Sequence, residues 1–221
     1  MRFSGLAFMR GELSHMLTPV SETQGKRMQV DIKSGLMRGA RQIASPNFDS
    51  RPAGVEADLI VVHGISLPPG EFGGPWIDRL FTNTLPADVH PYFTDVRGVP
   101  VSSHLVLQRD GSVTQYVKFT ERAWHAGKSA YRGREACNDF SVGVELEGTD
   151  TLPYEAAQYD VLAQVVAALC AAYPRLSPDR LAGHSDIAPG RKTDPGPAFD
   201  WQLARRLIGA AVTVHGKSPR R

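Results

Sequence analysis

The chain has 221 residues, enough for one domain of ordinary size or one domain with a tail. Hydrophobic residues make up 42% and charged residues 22%, a globular composition and not a disordered one. The net charge is only +2, with basic clusters confined to the termini, which excludes a large electrostatic case for nucleic-acid binding.

In chain order, residues 1–45 lack strong periodicity and carry scattered charge, so they read as a weakly ordered extension. The apolar stretch Leu6 to Met9 is closed by Arg10 and Glu12 and is too short for a secretory core. No stretch approaches the ~20 apolar residues of a membrane span, so the expectation is a soluble cytoplasmic protein. Leu59 to His63 is a β-branched apolar run, read as a buried strand, and a breaker-rich loop from Gly64 to Gly70 follows it. Trp76 to Phe81 reads as a short helix. Val101 to Leu107 and Val113 to Val117 flank Asp110-Gly111, a hairpin signal. Phe140 to Leu146 reads as a strand with Phe140, Val142, Val144 and Leu146 on one face. Tyr154 to Tyr173 carries the clearest helical stripe, made of Tyr159, Leu162, Val166, Leu169 and Tyr173, and Pro174 ends it. Ala182 to Pro197 reads as a long Gly- and Pro-rich loop, and Phe199 to Val212 as a final helix. The two cysteines, Cys137 and Cys170, form no CxxC pair, and Cys170 falls within the apolar helical pattern. Strands interleaved with helices predict a single α/β domain over 46–212, a mixed central sheet flanked by helices, followed by a basic tail at 213–221.

The loop from His184 to Pro197 concentrates chemistry. Pro189, Pro195 and Pro197 restrict a backbone that carries His184, Lys192 and Asp194. Such a loop can hold two ligands in fixed geometry, or it can be a well-ordered surface connection. His63 adds a second imidazole, though from position alone a hydrogen-bonded core histidine is the commoner case. Two imidazoles and one carboxylate make the composition of a catalytic zinc site, which leaves a fourth position open. Glu145 and Glu147 share the strand face opposite Val144 and Leu146. They read as a general base beside a metal, as a glycosidase acid–nucleophile pair, or as a solvated face. Lys192 is a candidate oxyanion stabiliser or a surface lysine. His104 reads as a packed core residue; His125, beside Trp124, either lines a sugar or peptide site or packs.

Several long motifs carry a resemblance. They are Val61-Val62-His63-Gly64 through Gly74, His90-Pro91-Tyr92-Phe93, Arg122-Ala123-Trp124-His125-Ala126-Gly127, Cys137 through Thr151, and Gly183-His184 through Pro197. Over about residues 28 to 210 the chain resembles the bacterial 1,6-anhydro-N-acetylmuramyl-L-alanine amidases, a zinc N-acetylmuramoyl-L-alanine amidase family. The resemblance implies the sheet-and-helix fold shared with peptidoglycan recognition proteins. It implies one zinc ion on His63, His184 and Asp194, Glu145 as general acid/base and Lys192 as oxyanion stabiliser. It implies an anhydro-muropeptide substrate met in cytoplasmic wall recycling; a monomer is expected. Gly64 stands where the family often has Asn, and Pro100 and Ala136 stand where some members carry arginines toward the peptide. Residues 1–27 have no counterpart. A muramidase using Glu145 and Glu147, a non-catalytic wall-fragment receptor and an exported amidase are the competing readings.

Overall fold

The structure, a computed structural model, describes residues 28–216. The strands are β1 (Gln29–Asp31), β2 (Leu36–Arg38), β3 (Arg41–Gln42), β4 (Phe48–Ser50), β5 (Leu59–Ile65), β6 (Leu105–Leu107), β7 (Val113–Gln115), β8 (Glu121–Ala123), β9 (Ala130–Tyr131), β10 (Arg134–Glu135), β11 (Ser141–Glu147) and β12 (Leu181–Gly183). The helices are α1 (Trp76–Phe81), α2 (Pro91–Val96), α3 (Ala156–Ala172), α4 (His184–Ile187) and α5 (Trp201–Gly216). Six strands form one mixed sheet in the order β12-β5-β11-β6-β7-β3. Every pairing in it is parallel except the β6–β7 hairpin. The α/β single-domain reading therefore holds.

Two strands dominate. β5 and β11 are each seven residues long and lie side by side in the sheet interior. Parallel strands covered on both faces need apolar residues on both, which is why β5 reads as a near-continuous hydrophobic run. Ile60, Val62, Val142, Val144 and Leu146 join the core under α3 and α5. Leu59, Val61 and Ala182 face the other way, against Phe140 and Ile187. α3 is buried more widely than the expected stripe, with Val161, Ala163 and Val165 also buried, because it packs both on the sheet and on α5. Gln158 ties its start to the sheet: its amide donates to Leu107 O at 3.2 Å and Glu147 O at 3.0 Å, and its Oε1 accepts from Glu155 N at 3.0 Å.

Four sequence expectations need correction. Residues 28–45 are not a weakly ordered extension. β1 and β2 form a hairpin, β3 adds an edge strand beside β7, and Met37 is buried, its N–H donating to the Gln115 amide oxygen at 2.7 Å. These strands have two or three residues each, too few to display a period; long-range contacts order them. The expectation for residues 1–27 lies outside the described residues. The last helix runs to Gly216, so residues 213–216 continue α5, and the rest of the expected tail lies beyond the described residues. Phe140 does not share a face with Val142: it sits in a 3₁₀ turn, Cys137–Phe140, and turns into the opposite cluster. The stretch after Ala182 is not all loop, since it completes β12 and contains the single-turn helix α4. Among the described residues no helix is long and apolar enough to cross a membrane.

Candidate active site

Three adjacent strands, β12, β5 and β11, deliver the site on the sheet face opposite α3 and α5. Parallel register makes Glu145 the cross-strand partner of His63. Their side chains therefore project to the same side. β12 lies on the other flank of β5, and His184 begins α4 immediately after it. The Asp186 carboxylate accepts from Gly183 N at 2.7 Å and fixes that turn. The chain then folds back, with Ser185 N donating to Asp194 O at 2.9 Å and Lys192 N to Ala188 O at 3.1 Å. Tyr154 pins the far end, its hydroxyl donating to Pro195 O at 2.9 Å. The ring fits because Gly64 and Gly148 carry no side chains: a Cβ at either would stand 2.4 Å or 2.3 Å from Tyr154 atoms. That gives a packing reason for the glycine at 64.

His63 Nδ1 and His184 Nδ1 lie 2.9 Å apart, and Asp194 Oδ2 lies 3.2 Å and 3.0 Å from them. Three corners of a tetrahedron with bonds of ~2.0–2.1 Å are separated by about 3.3 Å, so these spacings suit one zinc ion. Among the described residues this is the one histidine, cysteine or carboxylate group of three or more gathered this way. The chemistry of the set agrees. His184 Nε2 faces the Ala126 carbonyl at 3.3 Å, with the donor Arg191 Nη2 farther off at 3.5 Å; a proton on Nε2 donates to that carbonyl and leaves Nδ1 presenting a lone pair. Lone pairs converging on one point call for a cation. Burial pulls His63 down to about 4, against the pull of the Asp194 carboxylate, so its ring is neutral near pH 7, as a ligand must be. Burial alone would raise Asp194, but the His184 and then the His63 ring, 3.0 Å and 3.2 Å from its Oδ2, outweigh it and hold the carboxyl well below the usual range.

His184 and Asp194 line an open cavity of about 700 Å³ with Glu145, His125 and Lys192. Glu145 is buried, yet its carboxylate has no hydrogen-bond partner among the described residues. Burial, and then the charge on Asp194, push it well above the usual carboxylate range, while Lys192 pulls it back. Lys192 itself is exposed on the cavity wall. Glu147 behaves otherwise. It is buried away from the cavity, and its oxygens accept from Gly73 N and, at 3.4 Å, from Arg109 N. It is neither solvated nor poised beside Glu145 for glycosidase chemistry.

His125 carries more than its sequence context showed. Its Nδ1 is 2.9 Å from His63 Nε2 and its Nε2 is 3.1 Å from Ser141 Oγ. Burial, and then the neighbouring rings, push it well below the usual histidine range. The available signal was its motif, Arg122 to Gly127; nothing in the spacing linked it to His63. His104 is a fully buried core residue whose Nδ1 accepts from Gly143 N at 3.0 Å.

Residues 53–197 match the family model for N-acetylmuramoyl-L-alanine amidase. This chain belongs to that family. A curated relative, the 1,6-anhydro-N-acetylmuramyl-L-alanine amidase AmpD of Salmonella typhimurium (strain SL1344), is 57% identical over 181 residues, 82% of this chain and 95% of the relative. A crystal structure of a selenomethionine AmpD derivative superimposes with a TM-score of 0.79 at 55% identity, covering 82% of this chain and 99% of that one. The amidase AmiD from Escherichia coli, solved with the substrate anhydro-N-acetylmuramic acid-L-Ala-D-gamma-Glu-L-Lys, matches at 27% identity with a TM-score of 0.50, covering 82% of this chain and 65% of that one. In this amidase the family match spans β5 through the Asp194 loop, so it contains every residue of the gathered group and Glu145.

Proposed function

We propose that the protein is a zinc hydrolase that cleaves the amide bond between 1,6-anhydro-N-acetylmuramic acid and the L-alanine of the stem peptide. The observation that carries this reading is the convergence of His63 Nδ1, His184 Nδ1 and Asp194 Oδ2 beside an unpartnered, buried Glu145. The anhydro-sugar specificity is supported by the AmpD relatives and by the anhydro-muramyl tripeptide bound to AmiD.

His63, His184 and Asp194 would hold one zinc ion, which supplies Lewis acidity toward the scissile carbonyl and lowers the pKa of water toward about 7. Glu145 takes the proton lost by the attacking water and returns it to the leaving alanine nitrogen. A raised pKa suits a group that must both accept and release a proton near neutrality. Lys192, on the cavity wall, places its ammonium against the oxygen that gains charge as the amide carbon becomes tetrahedral. Glu147 has no part in the chemistry, because its oxygens are committed to backbone donors.

Mass spectrometry of anhydro-muropeptide after incubation tests the reading. Separate release of free stem peptide and anhydro-sugar, abolished by a strong chelator, is the expected result. Cleavage at a glycosidic bond, unchanged substrate, or full activity in metal-free protein would overturn it. Cytoplasmic residence, a monomeric state and a place in wall recycling belong to the same proposal; cell fractionation and light scattering test the first two.

A further inference from the structure

The two histidines of the metal group are oriented by one short segment. His63 Nε2 faces the side chain of His125, and His184 Nε2 faces the carbonyl of the next residue, Ala126. That segment is clamped: Asn138 Oδ1 accepts from His125 N at 3.1 Å and from Ala126 N at 2.8 Å.

The proton positions can be read from the far end. Ser141 Oγ lies 2.6 Å from the Cys137 carbonyl, which can only accept, so the single hydroxyl hydrogen is committed there. Ser141 Oγ must then accept from His125 Nε2, 3.1 Å away. His125 carries its proton on Nε2, which leaves its Nδ1 an acceptor, 2.9 Å from His63 Nε2. His63 donates from Nε2, and its Nδ1 lone pair is turned toward His184 Nδ1 and Asp194 Oδ2. The site is built for this ring: a Cβ at Gly143 would stand 2.5 Å from His125 Cγ, so only glycine lets the imidazole lie against β11. Ser141 is fully buried and His125 nearly so.

We propose that His125, relayed through Ser141 to the Cys137 carbonyl, is the positioning residue that fixes the His63 tautomer and aims its Nδ1 at the metal position. This rests on the zinc reading above, and the test separates the two. Ring ¹⁵N NMR on metal-free, histidine-labelled protein should find His63 as the neutral Nε2–H form, a result that needs no metal. Competition with a chromogenic chelator should show zinc affinity falling about 10–100-fold in His125→Phe, the usual cost of losing such a support. His125→Asn, whose Oδ1 can accept near the Nδ1 position, should restore most of it. An Nδ1–H form of His63 in the wild type, or a folded His125→Phe that binds zinc as the wild type does, would overturn the proposal. If the wild type binds no zinc while His63 is Nε2–H, the metal reading falls and the relay stands. Should His125→Phe fail to fold, Ser141→Ala decides. A mixed His63 tautomer with weakened zinc binding supports the relay; a single unchanged Nε2–H form with wild-type affinity refutes it.

Discussion

Glu145 and Glu147 lie one strand repeat apart on β11, both buried, and the structure gives them opposite environments. Changing each to glutamine should therefore produce opposite effects on stability and rate. Glu145→Gln breaks no hydrogen bond among the described residues, so its melting temperature should not fall. Its pKa in the fold is raised above 4.5, so the native state keeps a proton that the unfolded chain releases as pH climbs through that value. Stability of the wild type falls with rising pH over that range for this group. In metal-free protein, Glu145→Gln should match the wild type below pH 4.5 and become the more stable of the two above it. Its kcat should drop about 100-fold or more, with zinc retained. Glu147→Gln keeps one acceptor oxygen where two backbone N–H groups now donate. A buried donor left unsatisfied costs about 1–3 kcal/mol, which lowers Tm by roughly 2–10 °C for a domain of this size. Its kcat should stay within a few-fold of wild type. Calorimetry across pH and initial rates on anhydro-muropeptide give both readouts. A Glu145→Gln enzyme near the wild-type rate, or a Glu147→Gln enzyme that is inactive with unchanged melting, refutes the division of roles.

Purified protein should carry about one zinc per chain by elemental analysis, and His63→Ala should lose metal and activity together. Lys192→Ala should keep its zinc while kcat falls about 100-fold, the usual cost of one oxyanion donor; an unchanged rate removes Lys192 from the reaction. A chain beginning at Met28 should melt as the full-length protein does. One beginning at Pro46 should melt several degrees lower, because it lacks the buried Met37 and the β3 edge; equal melting of all three would show that β1–β3 contribute nothing. Gly64→Ala should destabilise by about 1–3 kcal/mol through overlap with the Tyr154 hydroxyl. In Tyr154→Phe the same change should cost much less, and additive effects in that cycle would rule out the overlap as the cause.

Much of the scaffold was legible because its elements carry strong local signals. α1 has the bounds its sequence predicts, and β5 and β11 differ from theirs by one or two residues. What escaped the sequence is set by tertiary contact. β1–β3 have too few residues to show a period, and β12, Leu-Ala-Gly, has no β-branched residue to mark a strand. Phe140 changed face because the strand begins one residue later, after a 3₁₀ turn. For the site, residue types named His63, His184 and Asp194 only as candidates, each with a bland alternative. The fold brings their ligand atoms together across separations of 121 and 131 positions from His63. Alternation correctly paired Glu145 with Glu147 on one face, yet no pattern could report that Gly73 and Arg109 had taken up Glu147. The partnership of His125 with His63 was equally invisible, since the two residues meet only through folding.

The parallel register between β5 and β11 also divides this protein into parts that can and cannot change length. Glu145 reaches His63 directly across the sheet, over the ~4.8 Å that separates any two neighbouring strands, and no loop intervenes to absorb an error. One residue inserted or deleted between Ser141 and Glu145 would turn the carboxylate to the α3 side and bring Val144 or Leu146 into the cavity. Lengthening the chain between β5 and α1, or between α2 and β6, leaves that pairing untouched and reshapes only the cavity wall. Lineages that share this chemistry should accordingly differ by gaps in those wall segments and be free of gaps along the two strands, and libraries built to alter which stem peptide fits should place their insertions there.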